Sequence, residues 1–118
     1  MPINAADFKP SSAEELLDGI LETVKDTVRS QWNRIKDEIR YQLTFIAERT
    51  TRVMTMLAAG KITRKEADGT LHLLEVNLNS ALKEFAFMAY AMTQKILSAV
   101  FDLLKNAIRN VTGIDLLL

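Results

Sequence analysis

His72 is the only imidazole of the chain, and it lies between two leucines with Glu75 three residues later. A protein metal site needs several ligands held in a fixed geometry. The sequence offers no second histidine at helical spacing and no cysteine, so further ligands would have to come from distant segments or other chains. We therefore predict that His72 lies on a helix surface or at an interface and that the protein binds no metal.

Two pairs of neighbouring carboxylates, Glu14/Glu15 and Asp37/Glu38, are the other candidates for chemistry. General acid–base catalysis by such a pair requires a cleft that raises the pKa of one member. The first pair follows a predicted helix start and the second lies on a polar helix face, so both are expected to be solvated. The chain also lacks a Glu-x-x-His motif, a glycine-rich phosphate loop and a G-x-S-x-G turn. The sequence therefore favours a protein that is not an enzyme and carries no cofactor.

The composition narrows the fold class and the partners. The 118 residues contain 15 basic and 15 acidic side chains, and 48% of the residues are hydrophobic. A zero net charge argues against nucleic acid as a partner, because a basic surface supplies most of that affinity. Only four glycines and two prolines are present, and both prolines lie in the first ten residues. A β-sandwich or barrel would need more turn residues, so the composition favours an all-α fold.

No segment has the composition of a targeting or membrane-spanning sequence. Residues 1–12 have no apolar core, which argues against a signal peptide. The longest uncharged stretch of the apolar second half runs only from Phe85 to Gln94, and about 20 apolar residues are needed to cross a bilayer. We expect a cytoplasmic protein, or one within a particle assembled there.

Start and stop signals divide the chain into two long helices. Ser11 and Ser12 precede early glutamates, which is typical of a helix N-terminus. Gly60 is suited to end that helix, and Thr63 with Glu66 has the pattern of a capping box. We predict an N-terminal extension over 1–11, helix 1 over 12–59, a turn over 60–62, helix 2 over 63–112 and an apolar tail over 113–118. Helix 1 would be a rod of roughly 70 Å, antiparallel to helix 2.

Apolar residues recur along both predicted helices at alternating steps of three and four, which is the helical signature. The segments 24–34 and 35–45 also share Lys, Asp, Arg and Gln at a spacing of eleven residues. An eleven-residue period predicts an apolar seam that runs nearly straight along a helix. The seam contains Leu17, Leu21, Val24, Val28, Trp32, Ile35, Ile39, Leu43, Ile46, Thr50, Val53 and Leu57 in helix 1, and Ala67, Leu71, Leu74, Leu78, Leu82, Phe85, Ala89, Met92, Ile96, Val100, Leu103, Ala107 and Val111 in helix 2.

Basic residues flank the first seam on one side, at Lys25, Arg29, Lys36 and Arg40, and acidic residues lie roughly opposite it. This arrangement over about 30 residues resembles the amphipathic helices of exchangeable lipid-binding proteins, in which basic side chains extend to the membrane interface. The alternative is that the flanking charges contact neighbouring helices in a bundle. These four residues are therefore candidate charged contacts under either interpretation.

Helix 2 carries more apolar surface than one partner helix can cover. A second set of apolar residues lies off the seam, and the run FAFMAYAM at 85–92 is apolar nearly all round. A helix of that kind is buried on all sides. We therefore predict that oligomerisation completes the bundle, through an interface containing Phe87, Tyr90, Leu97, Phe101, Leu104 and Ile108. An alternative is a compact four-helix bundle within one chain, with breaks at Thr50–Thr51 and Asn77–Ser80.

These patterns favour a structural, assembly or adaptor protein that acts through helix–helix association with itself and with another protein. Small helical subunits of phage particles and secretion assemblies have this general character. Two alternatives stay open: reversible binding to a lipid surface by an amphipathic helix, and a small helical regulator that occupies a groove on a target protein.

Overall fold

The computed structural model consists of helices joined by short connections. It describes residues 4–85 and 87–116, and no strand occurs among them. The predicted all-α class is confirmed. Four α-helices follow one another along the chain, with short 3-10 turns at Ala5–Asp7 and Arg29–Gln31: α1 (Ala13–Val28), α2 (Trp32–Ala58), α3 (Arg64–Lys83) and α4 (Tyr90–Thr112).

The helix ends follow the local signals. The Ser12 hydroxyl accepts a hydrogen bond from the Glu15 N–H at 3.1 Å, which caps α1. At the start of α3, the Glu66 N–H donates to the Thr63 hydroxyl and the Thr63 N–H donates to the Glu66 carboxylate, so the capping box is present. Gly60 and Gly113 have φ values of +72° and +78°, a conformation that glycine adopts at little cost. The chain therefore turns at Gly60 and α4 ends at Gly113.

The predicted long helix over 12–59 is wrong, because it is divided into α1 and α2 at Arg29. That residue has φ +52° and ψ −111°, a conformation that costs a non-glycine residue roughly 1–3 kcal/mol. A 3-10 turn over Arg29–Gln31 follows, and α1 packs against both α2 and α4. The molecule measures only 42 Å along its longest axis, so the expected rod does not form.

The predicted helix over 63–112 is also wrong, because α3 ends at Lys83 and α4 begins at Tyr90. In the connection, Phe85, Phe87 and Met88 are half-buried and pack against the core. The run that is apolar nearly all round is therefore largely a connection that covers one end of the bundle. The chain does fold back into four helices, but the break points of the four-helix alternative were misplaced: 50–51 lies inside α2 and 77–80 inside α3.

Neighbouring helices run in opposite directions. Asn110, near the end of α4, donates hydrogen bonds to the Ala6 and Phe8 carbonyl oxygens at 3.1 and 2.8 Å, just before α1 begins. Thr27 near the end of α1 shares a groove with Gln94 near the start of α4. Helices α1 and α4 are therefore antiparallel. Asn79 late in α3 similarly lines a groove with Gln94, and the turn at residues 59–63 reverses α3 against α2.

One hydrophobic core runs through the bundle and receives buried side chains from all four helices. Most of the predicted seam is buried. In α1, however, Leu16 and Ile20 are fully buried whereas the predicted Leu17 and Leu21 are half-buried, because α1 contacts two helices and buries a wider arc. The predicted extension and tail fall partly outside the described residues, which exclude 1–3, 86, Leu117 and Leu118.

Candidate interaction surfaces

Most of the predicted oligomer interface on α4 lies inside the single chain. Leu97, Phe101, Leu104 and Ile108 are all buried, on a helix that packs against α1, α2 and α3. The prediction assumed that a single chain leaves these side chains in water, and that assumption is wrong. The other helices of the bundle cover them, so they offer little exposed surface to a second copy.

The other two predicted interface residues differ from each other. Phe87 is half-buried in the connection between α3 and α4, where the Arg34 guanidinium carbon lies 3.8 Å from its ring centroid. The Phe85 ring lies 5.8 Å away, centroid to centroid. Phe87 is thus engaged within the chain. Tyr90, the first residue of α4, is 75% exposed and stays available to a partner.

The candidate charged contacts Lys25, Arg29, Lys36 and Arg40 are all exposed. None of them lies within 4.0 Å of a carboxylate oxygen in the part of the chain that the structure describes. The seam that they flank, including Val28 within it, is buried in the core. The surface that would enter a lipid interface is therefore turned inward in this fold.

The residues considered for chemistry are spread over separate exposed positions. His72 is exposed on α3, and both members of each carboxylate pair are exposed. Within residues 4–85 and 87–116, no group of three or more His, Cys, Asp or Glu side chains is arranged to hold a metal ion. The Ser11 hydroxyl and backbone N–H both donate to the Glu15 carboxylate, which lowers the pKa of Glu15. The side-chain hydrogen bond is the larger cause, and the contact is part of a helix start.

An aromatic face lies on the outside of α2, centred on Tyr41 and Phe45. Tyr41 is 78% exposed and Phe45 is 43% exposed. The Arg49 guanidinium carbon lies 5.5 Å from the Phe45 ring centroid. Charged residues of both signs surround the two rings along adjacent shallow grooves, lined by Asp37, Arg40, Thr44, Glu48, Arg49 and Arg52. We refer to these eight residues as the α2 aromatic face.

A second exposed surface lies on the outside of α3. Leu73 is 64% exposed and Val76 is 46% exposed, with exposed Gly69 and Ser80 one turn before and after them. The spacing i, i+4, i+7, i+11 places the four residues on one face of the helix, opposite the buried residues of α3. We refer to Gly69, Leu73, Val76 and Ser80 as the α3 stripe.

The sequence contains a signal for both surfaces. Tyr41 and Phe45 are out of phase with the seam at Ile39, Leu43 and Ile46, and Leu73 directly precedes the seam residue Leu74. Apolar residues out of phase with a helical seam must lie outside it. The predicted interface contains only residues of the second half of helix 2, and these positions lie outside it.

None of the described helices combines the length and the apolar character needed to span a bilayer. Comparison of the chain with protein-family models, with curated proteins and with solved structures finds no match.

Proposed function

We propose that the protein is a non-enzymatic assembly or adaptor protein that acts through helix–helix association. It serves as a subunit of a larger particle or as a link between proteins, in the cytoplasm or in a particle assembled there. The observation that carries the proposal is the exposure of Tyr41 and Phe45 together on the α2 aromatic face. Tyrosine and phenylalanine are enriched at the centres of protein interfaces, where few residues supply most of the binding energy.

The chemistry around the two rings supports a protein helix as the occupant. An incoming amphipathic helix presents apolar residues at steps of three and four, and Tyr41 and Phe45 have the same spacing along α2. Asp37 and Glu48 supply negative charge beside them, and Arg40, Arg49 and Arg52 supply positive charge. Such mixed charge favours a partner whose own flanks carry both signs, because complementary charges set orientation and exclude wrong partners.

Capture from the native host tests the proposal. The tagged wild type is compared with a Tyr41→Ala/Phe45→Ala variant and with Tyr90→Ala, which removes an equally exposed tyrosine from another helix. A protein captured by the wild type is then purified and titrated against all three. We expect the double variant to weaken binding about tenfold or more, while Tyr90→Ala binds as the wild type does. Equal binding by all three would refute the role of the α2 aromatic face.

Vesicle co-sedimentation tests the lipid alternative. Binding at this surface would require the bundle to open, because the seam is buried. On our proposal the folded protein stays in the supernatant with anionic vesicles. Sedimentation with vesicles that is lost in a Lys25→Glu/Lys36→Glu variant would favour lipid binding instead.

A further inference from the structure

The α3 stripe is flanked by charges of opposite sign on its two sides. At about 100° per residue, Glu66 and Glu84 lie on one side of the stripe, and Lys65 and Lys83 lie on the other. All four are exposed. The same Lys-Glu dipeptide thus occurs at 65–66 and at 83–84, eighteen residues apart, which is five helical turns. Each pair brackets one end of the stripe.

This pattern distinguishes the two ways in which the stripe can meet a copy of itself. In a parallel pair, with the two-fold axis along the helices, the acidic side of one α3 faces the basic side of the other. Glu66 then meets Lys65 of the second copy, and Glu84 meets Lys83, each contact occurring twice. In an antiparallel pair, like sides face each other, so glutamates meet glutamates and lysines meet lysines.

Gly69 provides a second, independent observation. It lies in the interior of α3, where glycine costs roughly 1 kcal/mol relative to alanine. Apart from the neighbouring backbone of α3 itself, no atom of the described residues lies within 4 Å of the position that a Cβ would occupy there, so packing within the described fold does not require glycine. Glycine would be useful at this position if a second helix packed closely against α3, because small residues let two helix backbones approach each other.

We propose that the partner recognised by the α3 stripe is a second copy of this chain, bound in parallel across a two-fold axis. Gly69, Leu73, Val76 and Ser80 meet their own equivalents, and the two Lys-Glu pairs fix the direction. The inference builds on the proposed function, since it names one partner, but it uses a different helix from the α2 aromatic face. A contact along a single helix is small, so the dimer is weak and depends on protein concentration.

Charge reversal at one end of the stripe tests both the dimer and its direction. Lys83→Glu and Glu84→Lys are made separately, because Glu66 also caps α3 and is left intact. In a parallel dimer each variant replaces two attractive contacts by two repulsive ones, which is expected to weaken dimerisation about tenfold. An equimolar mixture of the two variants restores attraction at both contacts, so the mixture forms a heterodimer. Lys36→Glu, exposed on α2, is the matched control and leaves dimerisation unchanged.

Sedimentation equilibrium from about 10 μM to about 1 mM protein covers the range of a weak dimer, and circular dichroism checks that each variant is folded. The proposal is overturned if the wild type stays monomeric throughout, or if the mixture dimerises no better than the separate variants. Stronger dimerisation of both single variants would show antiparallel pairing and would also overturn it. Tyr41→Ala/Phe45→Ala leaves this dimer intact, so a failure of the proposed function and a failure of this inference are told apart.

Discussion

Two helix-interior glycines should respond differently to substitution by alanine. A Cβ at Gly19 would overlap the Phe8 Cζ atom and lie 3.0 Å from both Cε atoms, whereas a Cβ at Gly69 would meet no atom of the described residues within 4 Å beyond the backbone of its own helix. Carbon atoms pack best at about 3.5–4.0 Å, so alanine at position 19 must displace the Phe8 ring. Phe8 is half-buried against the core, and Asn110 donates a hydrogen bond to its backbone carbonyl oxygen at 2.8 Å, so the ring can yield only at the expense of these contacts.

The gain in helix propensity and the cost of overpacking have comparable magnitudes, so their balance decides whether each alanine substitution raises or lowers the free energy of unfolding. Replacing glycine by alanine in a helix interior contributes roughly 1 kcal/mol of stability. Overpacking a buried contact costs typically about 1–3 kcal/mol. Gly69→Ala should therefore raise the free energy of unfolding by about 1 kcal/mol. Gly19→Ala should leave it unchanged or lower it by up to about 2 kcal/mol, since both terms act there.

A double-mutant cycle with Phe8→Ala isolates the contact. Without the ring, Gly19→Ala has only the helix-propensity effect and should stabilise by about 1 kcal/mol. The coupling free energy between positions 8 and 19 is then about 1–3 kcal/mol. It is measured by urea denaturation, in dilute solution, of the wild type, the two single variants and the double variant. Gly69→Ala is the control. Equal stabilisation by both glycine substitutions, with no coupling to Phe8, would show that the N-terminal segment does not pack on α1 in this way.

Three further predictions concern single side chains. The Thr50 hydroxyl is fully buried without a hydrogen-bond partner among the described residues. Thr50→Val should therefore raise the free energy of unfolding by about 1–3 kcal/mol, which a higher urea midpoint would show. Thr51→Val, which removes a hydroxyl that bonds one turn back, should not. Arg29→Gly should stabilise relative to Arg29→Ala by about 1–3 kcal/mol, because glycine relieves the positive φ; equal melting temperatures would contradict this. The lowered pKa of Glu15, caused by Ser11, gives stability that is present above the ordinary pKa of 4.5 and is lost as the pH falls through the lower, folded value. Glu15→Gln should therefore flatten the acid side of a pH–melting curve, and a curve parallel to the wild type would refute it.

The features that the sequence predicted correctly are those decided by nearby residues. The cap at Ser12, the capping box at Thr63 and the left-handed glycine at 60 each depend on a few neighbouring positions. Helical periodicity likewise depends only on residues one turn apart. These features could be predicted because their stabilising contacts lie within the same segment.

The break at Arg29 could not be predicted in this way, because nothing local requires it. No glycine or proline lies between Gly19 and Gly60, and the apolar phase continues through the break. The break is stabilised by contacts of α1 with α4, which is more than sixty positions away in the chain. The interaction surfaces were missed for a different reason. Tyr41 and Leu73 were visible in the sequence, but their exposure follows only once the neighbours of α2 and α3 are known.

The apolar face of α4 that lies off the predicted seam can be covered either by other helices of the same chain or by a second chain. The free energies of these two arrangements explain why the chain folds back. Burying Leu97, Phe101, Leu104 and Ile108 contributes roughly 6–12 kcal/mol in total. A second chain would lose about 4–15 kcal/mol of translational and rotational freedom in covering them. Helix α1 is already attached by three residues, and its return costs one strained residue of about 1–3 kcal/mol and the hydrogen bonds of one turn. Covering α4 within the chain therefore costs less free energy than covering it with a second chain. Tyr41 on the α2 aromatic face and Leu73 on the α3 stripe, by contrast, stay mainly exposed in the folded chain.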